Sequence, residues 1–148
     1  MEYLALVRLE DDHFVIMFPD CPGCVTQAES ESEIIRIAQD ALEGWLESHL
    51  KHGEAPPHAS ATIRGRPGWR VRRVPVSFQL SVKLLIRWAR QDADLTQADL
   101  AKKVGVKQPQ IAKLERPGVN LSLKTLERVL DALGIRVELG YRREHVHP

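Results

Sequence analysis

The sequence predicts an α+β protein in two parts: a small antiparallel sheet with one long helix, then an all-α domain that ends in a strand. Three observations carry this reading. Residues 3–28 hold short β-rich runs, residues 30–53 one long apolar repeat of helical period, and residues 82–133 several shorter helical repeats. A length of 148 residues suits two small domains, placed at 1–78 and 79–148.

Tyr3 to Arg8 alternates apolar and polar residues, Glu10-Asp11-Asp12 breaks the pattern as a turn, and His13 to Phe18 forms a second run, so the two read as a hairpin. Pro19-Asp20-Cys21-Pro22-Gly23 is turn-rich, and Cys24 to Ala28 follows as a third strand. Ser30 is placed to cap the long helix, with Glu33 completing a capping box. Ile34, Ile37, Ala38, Ala41, Leu42, Trp45 and Leu46 recur on one face, Asp40, Glu43 and Glu47 lie on the other, and Gly53 suits the position after the helix end. Pro56, Pro57, Gly65 and Pro67 mark a loop. Trp69 to Phe78 reads as a fourth strand of the same sheet, with Pro75 requiring an edge or a strand end.

In the second part, Val82, Leu85, Ile86 and Ala89 mark a helix face, with Arg87, Arg90 and Gln91 expected on the exposed side. Thr96 to Val104, Gln108 to Arg116 and Leu123 to Leu133 mark three further helices. Ile135 to Arg142 alternates strictly, so Ile135, Val137, Leu139 and Tyr141 point one way and Arg136, Glu138 and Arg142 the other. A lone strand after four helices lacks an intrachain neighbour, and the simplest solution is pairing with the same strand of a second copy. Docking of this strand on the chain's own N-terminal sheet is the alternative.

The net charge of +1 conceals a split. Residues 1–60 hold three Lys/Arg against twelve Asp/Glu, a net charge of −9, and residues 61–148 hold eighteen against eight, a net charge of +10. A basic module suits a polyanion such as nucleic acid, and an acidic one suits a basic protein. No apolar run approaches the ~20 residues of a membrane span. The first residues read as a strand with no basic leader, so a cytoplasmic protein without membrane partners is expected.

Chemistry-bearing clusters are sparse. Cys21 and Cys24 are too few for a disulfide scaffold. Zinc needs four ligands, and 24 residues intervene between Cys24 and the His49/His52 pair, which does not match a usual finger. A redox Cys-x-x-Cys should open a helix, whereas this one enters a strand. His145 and His147 fall in the C-terminal tail, and Trp45, Trp69 and Trp88 suit core or interface positions. No phosphate loop or nucleophile pair stands out, so the sequence predicts no enzyme, cofactor or metal.

The strongest signal runs from Thr96 to Glu115. Thr96 can cap a helix with Asp99 in its first turn. Ala101 is small where two helices cross, and Gly105 permits the positive φ of a tight turn. Leu100, Val106, Ile111 and Leu114 supply a small core, and Pro109 sits in the first turn of the next helix. The polar residues left over are Lys107, Gln108, Gln110 and Lys113, of types that pair with base edges or phosphate. Gln97 opens the preceding helix, where a phosphate can be held, and Arg116 and Asn120 could add backbone contacts. The stretch resembles the Cro/C1-type (Xre) helix-turn-helix family, whose pattern is close to "LTQxxLAxxxGVxQxxIxxLE", over about residues 82–133. The resemblance implies a recognition helix in the major groove and dimers on palindromic double-stranded operator DNA.

Residues 3–60, with Phe18-Pro19-Asp20-Cys21-Pro22-Gly23-Cys24-Val25-Thr26-Gln27-Ala28 at their centre, resemble the HicB antitoxin family. Ala28 departs from that family's usual Gly. The resemblance implies a partial, degenerate ribonuclease H-like fold that binds and masks a small basic HicA-like ribonuclease toxin. The strand Tyr3 to Arg8 carries no carboxylate, so the metal-dependent chemistry of that fold is not expected. Glu10, Asp11, Asp12, Asp20 and Glu29 are the candidate toxin contacts. The sequence thus predicts an antitoxin that neutralises a ribonuclease and represses its own operon as a homodimer, with tetramers left open. The alternative is a stand-alone transcription regulator whose N-terminal domain binds a small effector. An active nuclease is the weakest reading.

Overall fold

The computed structural model describes residues 1–141 and 143, so the expectations for Arg142, His145 and His147 lie outside the described residues. Strands β1 (Glu2–Glu10) and β2 (His13–Met17) form an antiparallel hairpin across Asp11 and Asp12. Asp11 takes a φ of +50, which a short Asp side chain tolerates better than most. Strand β3 (Val25–Ala28) pairs with β2, and β4 (Arg70–Pro75) pairs with β1, giving the antiparallel order β3-β2-β1-β4. Pro75 closes β4 on an edge, where a missing N–H leaves no ladder bond unmade.

The alternation expected in β1 is not seen in its burial, because Tyr3 through Val7 are all buried. The strand is interior to the sheet. Tyr3, Ala5 and Val7 join the core on one face, while Leu6 on the other is flanked by Met17 and Val71 on the neighbouring strands. Glu10 also differs from its assignment to the turn, since it is the last residue of β1 and pairs with His13.

Helix α1 (Ile34–Lys51) covers the inner face with Ile34, Ala38, Leu42, Leu46 and Leu50, a row of i,i+4 neighbours. A 3-10 turn, Glu31–Glu33, precedes it. The expected capping box does not form. The Ser30 hydroxyl lies 3.0 Å from Glu33 Oε2, while the Glu33 N–H donates to the Ser30 carbonyl within the 3-10 turn. The other end matches expectation: Gly53 adopts φ +75, and the N–H groups of Gly53 and Glu54 close onto the carbonyls of Leu50 and His49.

Four helices follow: α2 (Phe78–Asp92), α3 (Gln97–Val104), α4 (Gln108–Glu115) and α5 (Leu123–Ala132). Their core gathers Ile86, Leu100, Ala101, Val104, Ile111, Leu114 and Val129. Helix α2 serves two cores at once, because Leu80, Leu84 and Trp88 pack into the core of the sheet and α1. Burying three large side chains there is worth several kcal/mol at about 1.5–3 kcal/mol each. The 78/79 division therefore falls at the start of a helix whose side chains the sheet module uses.

Two expectations need correction. Arg87 and Arg90 are buried rather than exposed, while Gln91 is exposed. A carboxylate on α4 draws both arginines inward, and apolar periodicity cannot register such a partner. Ile135 to Tyr141 forms no strand within the single chain, as expected of a segment without a ladder partner.

Candidate nucleic-acid interface

The turn joining α3 and α4 is built from local chemistry. The Thr96 hydroxyl accepts from the Asp99 N–H at 3.0 Å, and the Asp99 carboxylate accepts from the Thr96 N–H at 2.9 Å. These bonds from Thr96 hold the Asp99 carboxyl below the usual aspartate range. Gly105 takes φ +79, and its N–H and that of Val106 both reach the Ala101 carbonyl. Pro109 falls in the first turn of α4, and Gln110 Oε1 accepts from the Lys107 N–H at 3.0 Å. Gln110 therefore spends its oxygen on capping and keeps its amide N–H groups outward.

Lys107, Gln108, Gln110, Lys113, Arg116 and Asn120 are all exposed on α4 and the segments flanking it. Gln97 is half-buried at the start of α3 and accepts from Gln108 Nε2 at 2.8 Å. Each Gln–Lys pair is thus presented by a helix whose opposite side is fixed in the core through Ile111 and Leu114. The surface can donate to and accept from base edges, and its lysines can approach phosphates.

Behind that surface lies a hub that periodicity missed. Glu115, the last residue of α4, is 2% exposed. Its carboxylate accepts from Arg90 at 2.5 and 3.0 Å, from Arg87 at 2.8 Å and from Gln97 Nε2 at 3.1 Å. Burial pushes this carboxyl up, but the bonds from Arg90, Gln97 and Arg87 outweigh it and leave it below the usual glutamate range. Lys83, also buried, donates to the Leu114 carbonyl at 3.3 Å, and burial lowers its ammonium. The signal available in the sequence was the Arg-x-x-Arg spacing of 87 and 90, which puts both on one side of a helix.

The sheet module presents a different picture. Glu10, Asp11, Asp12 and Glu29 come together at one end of the sheet, since Phe14 pairs with Ala28 and Glu10 with His13. Asp20 lies at the other end, where its carboxylate accepts from the Ser60 N–H at 2.8 Å and from its hydroxyl at 2.7 Å. The charge division also shifts. Strand β4 and the loop before it bring Arg64, Arg66, Arg70, Arg72 and Arg73 to the first module, so residues 1–77 hold eight Lys/Arg against twelve Asp/Glu. Arg70 and Arg72 grip Glu31 at 2.7 and 2.9 Å, which holds its carboxyl below the usual range. Cys21 and Cys24 are buried free thiols, and burial first pushes them up to about 12 and about 11. The ring nitrogens of His49 and His52 lie against the α1 carbonyls of Trp45 and Ser48. No helix among the described residues is long and apolar enough to cross a membrane.

Helix α2, helix α5 and the residues after it border an open groove of ≈ 960 Å³, lined by Val82, Leu85, Leu130, Ile135, Val137 and Leu139 among others. Phe78, Leu123 and Leu139 in its lining are 68%, 80% and 87% exposed, and Tyr141, two residues beyond Leu139, is 92% exposed.

These features define a two-module protein: an α+β sheet module joined to a helix-turn-helix with an exposed Gln/Lys face. Residues 3–70 match the HicB-like antitoxin family of bacterial toxin-antitoxin systems, and residues 86–139 match the helix-turn-helix family. The chain thus carries a HicB-like antitoxin domain followed by a helix-turn-helix domain of Xre type. It is 28% identical over 137 residues to antitoxin HicB 1 of Photorhabdus laumondii, covering 93% of this chain and 84% of that protein. It is 32% identical over 62 residues to the UPF0150 protein Ta0767 of Thermoplasma acidophilum, covering 41% of this chain and 90% of that one. A chain of a solved HicA3 and HicB3 toxin-antitoxin complex is similar at 19% identity and a TM-score of 0.43, covering 52% of this chain and 99% of that chain.

Proposed function

We propose that this protein is an antitoxin that neutralises a small basic HicA-like ribonuclease by direct binding and represses its own operon, acting in the cytoplasm without catalysis. The observation that carries the regulatory half is the exposed set Lys107, Gln108, Gln110 and Lys113 on a helix held by a buried ionic hub. In this reading α4 enters the major groove, Gln97 and the start of α3 meet phosphate, and Arg116 and Asn120 add backbone contacts. The hairpin tip Glu10–Asp12 with Glu29 is the acidic surface offered to the toxin, with Asp20 set apart from it. Two copies join through Ile135, Val137, Leu139 and Tyr141 and present two recognition helices to a palindrome.

The test is co-expression with the small basic protein encoded beside it. Rescue of growth, co-purification and promoter binding by the complex or the free chain are expected. Promoter binding without any effect on that neighbour would leave a transcription regulator and remove the antitoxin role.

A further inference from the structure

Arg87 touches three parts of the molecule that carry different functions. It stands on α2, its Nη1 donates to Glu115 at the end of α4, and its Nη2 donates to the carbonyl of Gly53, just past the end of α1 in the sheet module. The Glu115 oxygen that accepts from Arg87 also accepts from Gln97 Nε2, and Gln97 Oε1 accepts from Gln108. An unbroken row of polar contacts therefore runs from Gly53 through Arg87, Glu115 and Gln97 to Gln108, the first residue of α4.

The neighbouring contacts tie the same segment down. Trp88 Nε1 donates to the Pro56 carbonyl at 2.8 Å, the His58 ring stacks on Trp88 at 4.1 Å, and the Tyr3 hydroxyl donates to the Pro57 carbonyl at 2.6 Å. Residues 53–58 are thus held jointly by the sheet module and by α2. Arg87 is 7% exposed, and its Nε has no partner among the described residues. A buried guanidinium already short of one acceptor cannot lose the Gly53 carbonyl without moving toward another. The acceptor nearest to hand is Glu115, whose donors Gln97 and Arg90 would have to yield.

We propose that Arg87 is a positioning residue that couples the end of α1 to the Gln97–Gln108 pair, so that what displaces residues 53–58 in the sheet module changes how the helix-turn-helix reads DNA. The proposal rests on α4 being the base-reading helix. Coupling of this kind is a free energy shared between two sites, carried by one element that both bias.

Two glycines of the sheet module supply the test. Gly53 and Gly23 both have left-handed φ, +75 and +82, so a β-branched residue strains either backbone. Only Gly53 adjoins the row: a Cβ there would meet Arg87 Nη2 at 4.0 Å, whereas one at Gly23 meets nothing within 4 Å. Full-length Gly53→Val and Gly23→Val are compared for affinity to a promoter duplex and to duplexes with single base changes. Gly53→Val is expected to weaken promoter binding by about fivefold or more and to flatten discrimination at one base position, while Gly23→Val leaves both within about twofold. Arg87→Met should reproduce the Gly53→Val loss, and the double variant should be no worse than either single one. The side-chain amide resonances of Gln97 and Gln108 in the free chain should shift in Gly53→Val and stay in Gly23→Val. Equal effects of the two glycine variants, additive losses in the double variant, or unmoved amide resonances would overturn the coupling. A wild-type chain that binds no promoter while its amide resonances still respond to Gly53→Val would instead overturn the base-reading role and leave the mechanical link standing.

Discussion

Gln108 Nε2 donates to Gln97 Oε1 at 2.8 Å, so the first residue of α4 is oriented by the first residue of α3. Glu115 takes an N–H of Gln97, which obliges Gln97 to face Gln108 with its oxygen. Gln108 keeps its own oxygen and one N–H outward, the set that complements adenine. Gln108→Ala should therefore cost about 1–3 kcal/mol of discrimination at one base position. Titration against single-substituted promoter duplexes measures this. Promoter affinity should also fall steeply with salt, as Lys and Arg displace counterions. Full binding by a Gln108/Gln110/Lys113 triple alanine variant would refute the assignment of α4.

The hub behind that pair predicts an acid-sensitive fold. Removing the carboxylate in Glu115→Ala leaves Arg87 and Arg90 buried without their partner, at a cost of about 3–5 kcal/mol. The Glu115 carboxyl is held low in the folded chain by Arg90, Gln97 and Arg87, against burial. The unfolded chain then takes up its proton at higher pH than the folded chain does. The stabilisation is complete above the unfolded glutamate range and is lost as pH falls through that range toward the lower folded value. Melting temperatures followed downward from neutral pH should drop less steeply in Glu115→Gln than in the wild type. Parallel curves would remove Glu115 as the source.

The two thiols should be inert while the chain is folded. Burial holds Cys21 and Cys24 at about 12 and about 11, so both stay protonated near neutrality and the reactive thiolate is scarce. Alkylation by iodoacetamide, followed by mass spectrometry, should be slow in buffer and fast in denaturant. Rapid labelling of the folded chain would contradict the burial.

The elements were largely legible because their signals are local. Thr96, Gly105 and Pro109 each answer a constraint set within four residues, and the capping and turn found there match. Leu100, Ile111 and Leu114 follow from helical period alone. What escaped depends on contacts distant in sequence. Arg87 and Arg90 read as exposed because an amphipathic pattern cannot see a carboxylate 28 and 25 residues away on α4. The charge split at residue 60 overstated the acidity of the first module, because β4 returns to the sheet with three arginines. The Ser30 capping box failed for a subtler reason: the 3-10 turn shifts the start of α1 and leaves the two side chains facing each other.

On the sheet module, the two ends of the acidic surface should respond differently. Charge reversal at the hairpin tip, as in Asp11→Lys with Asp12→Lys, should slow association with a basic protein partner and weaken its salt dependence more than it changes dissociation. Asp20→Asn should act through stability instead, because the Asp20 carboxylate holds the Ser60 N–H and hydroxyl. Stopped-flow association rates and thermal melts separate the two effects. A slow association in Asp20→Asn with unchanged melting would move the contact surface to that end.

Assembly is the last expectation. Val137 and Leu139 in the groove's lining are 48% and 87% exposed, and Phe78 and Leu123 in the same lining 68% and 80%. So much apolar surface around one groove is unusual for a protein that stays monomeric. Residues 135–141 carry alternating apolar side chains, yet they form no ladder among the described residues. Pairing with the same segment of a second copy would satisfy their N–H and C=O groups and cover the groove at once. It would also set two α4 helices about one DNA turn apart, on the order of 34 Å, as a palindromic site requires. Truncation after Leu133 should leave the helical core intact, since the buried residues of that core end at Val129 and Leu130. The shortened chain should sediment as a monomer and bind its promoter weakly, because two half-sites would no longer be engaged together. Leu139→Asp should do the same with the whole chain present. A truncated chain that still sediments as a dimer would place the interface elsewhere.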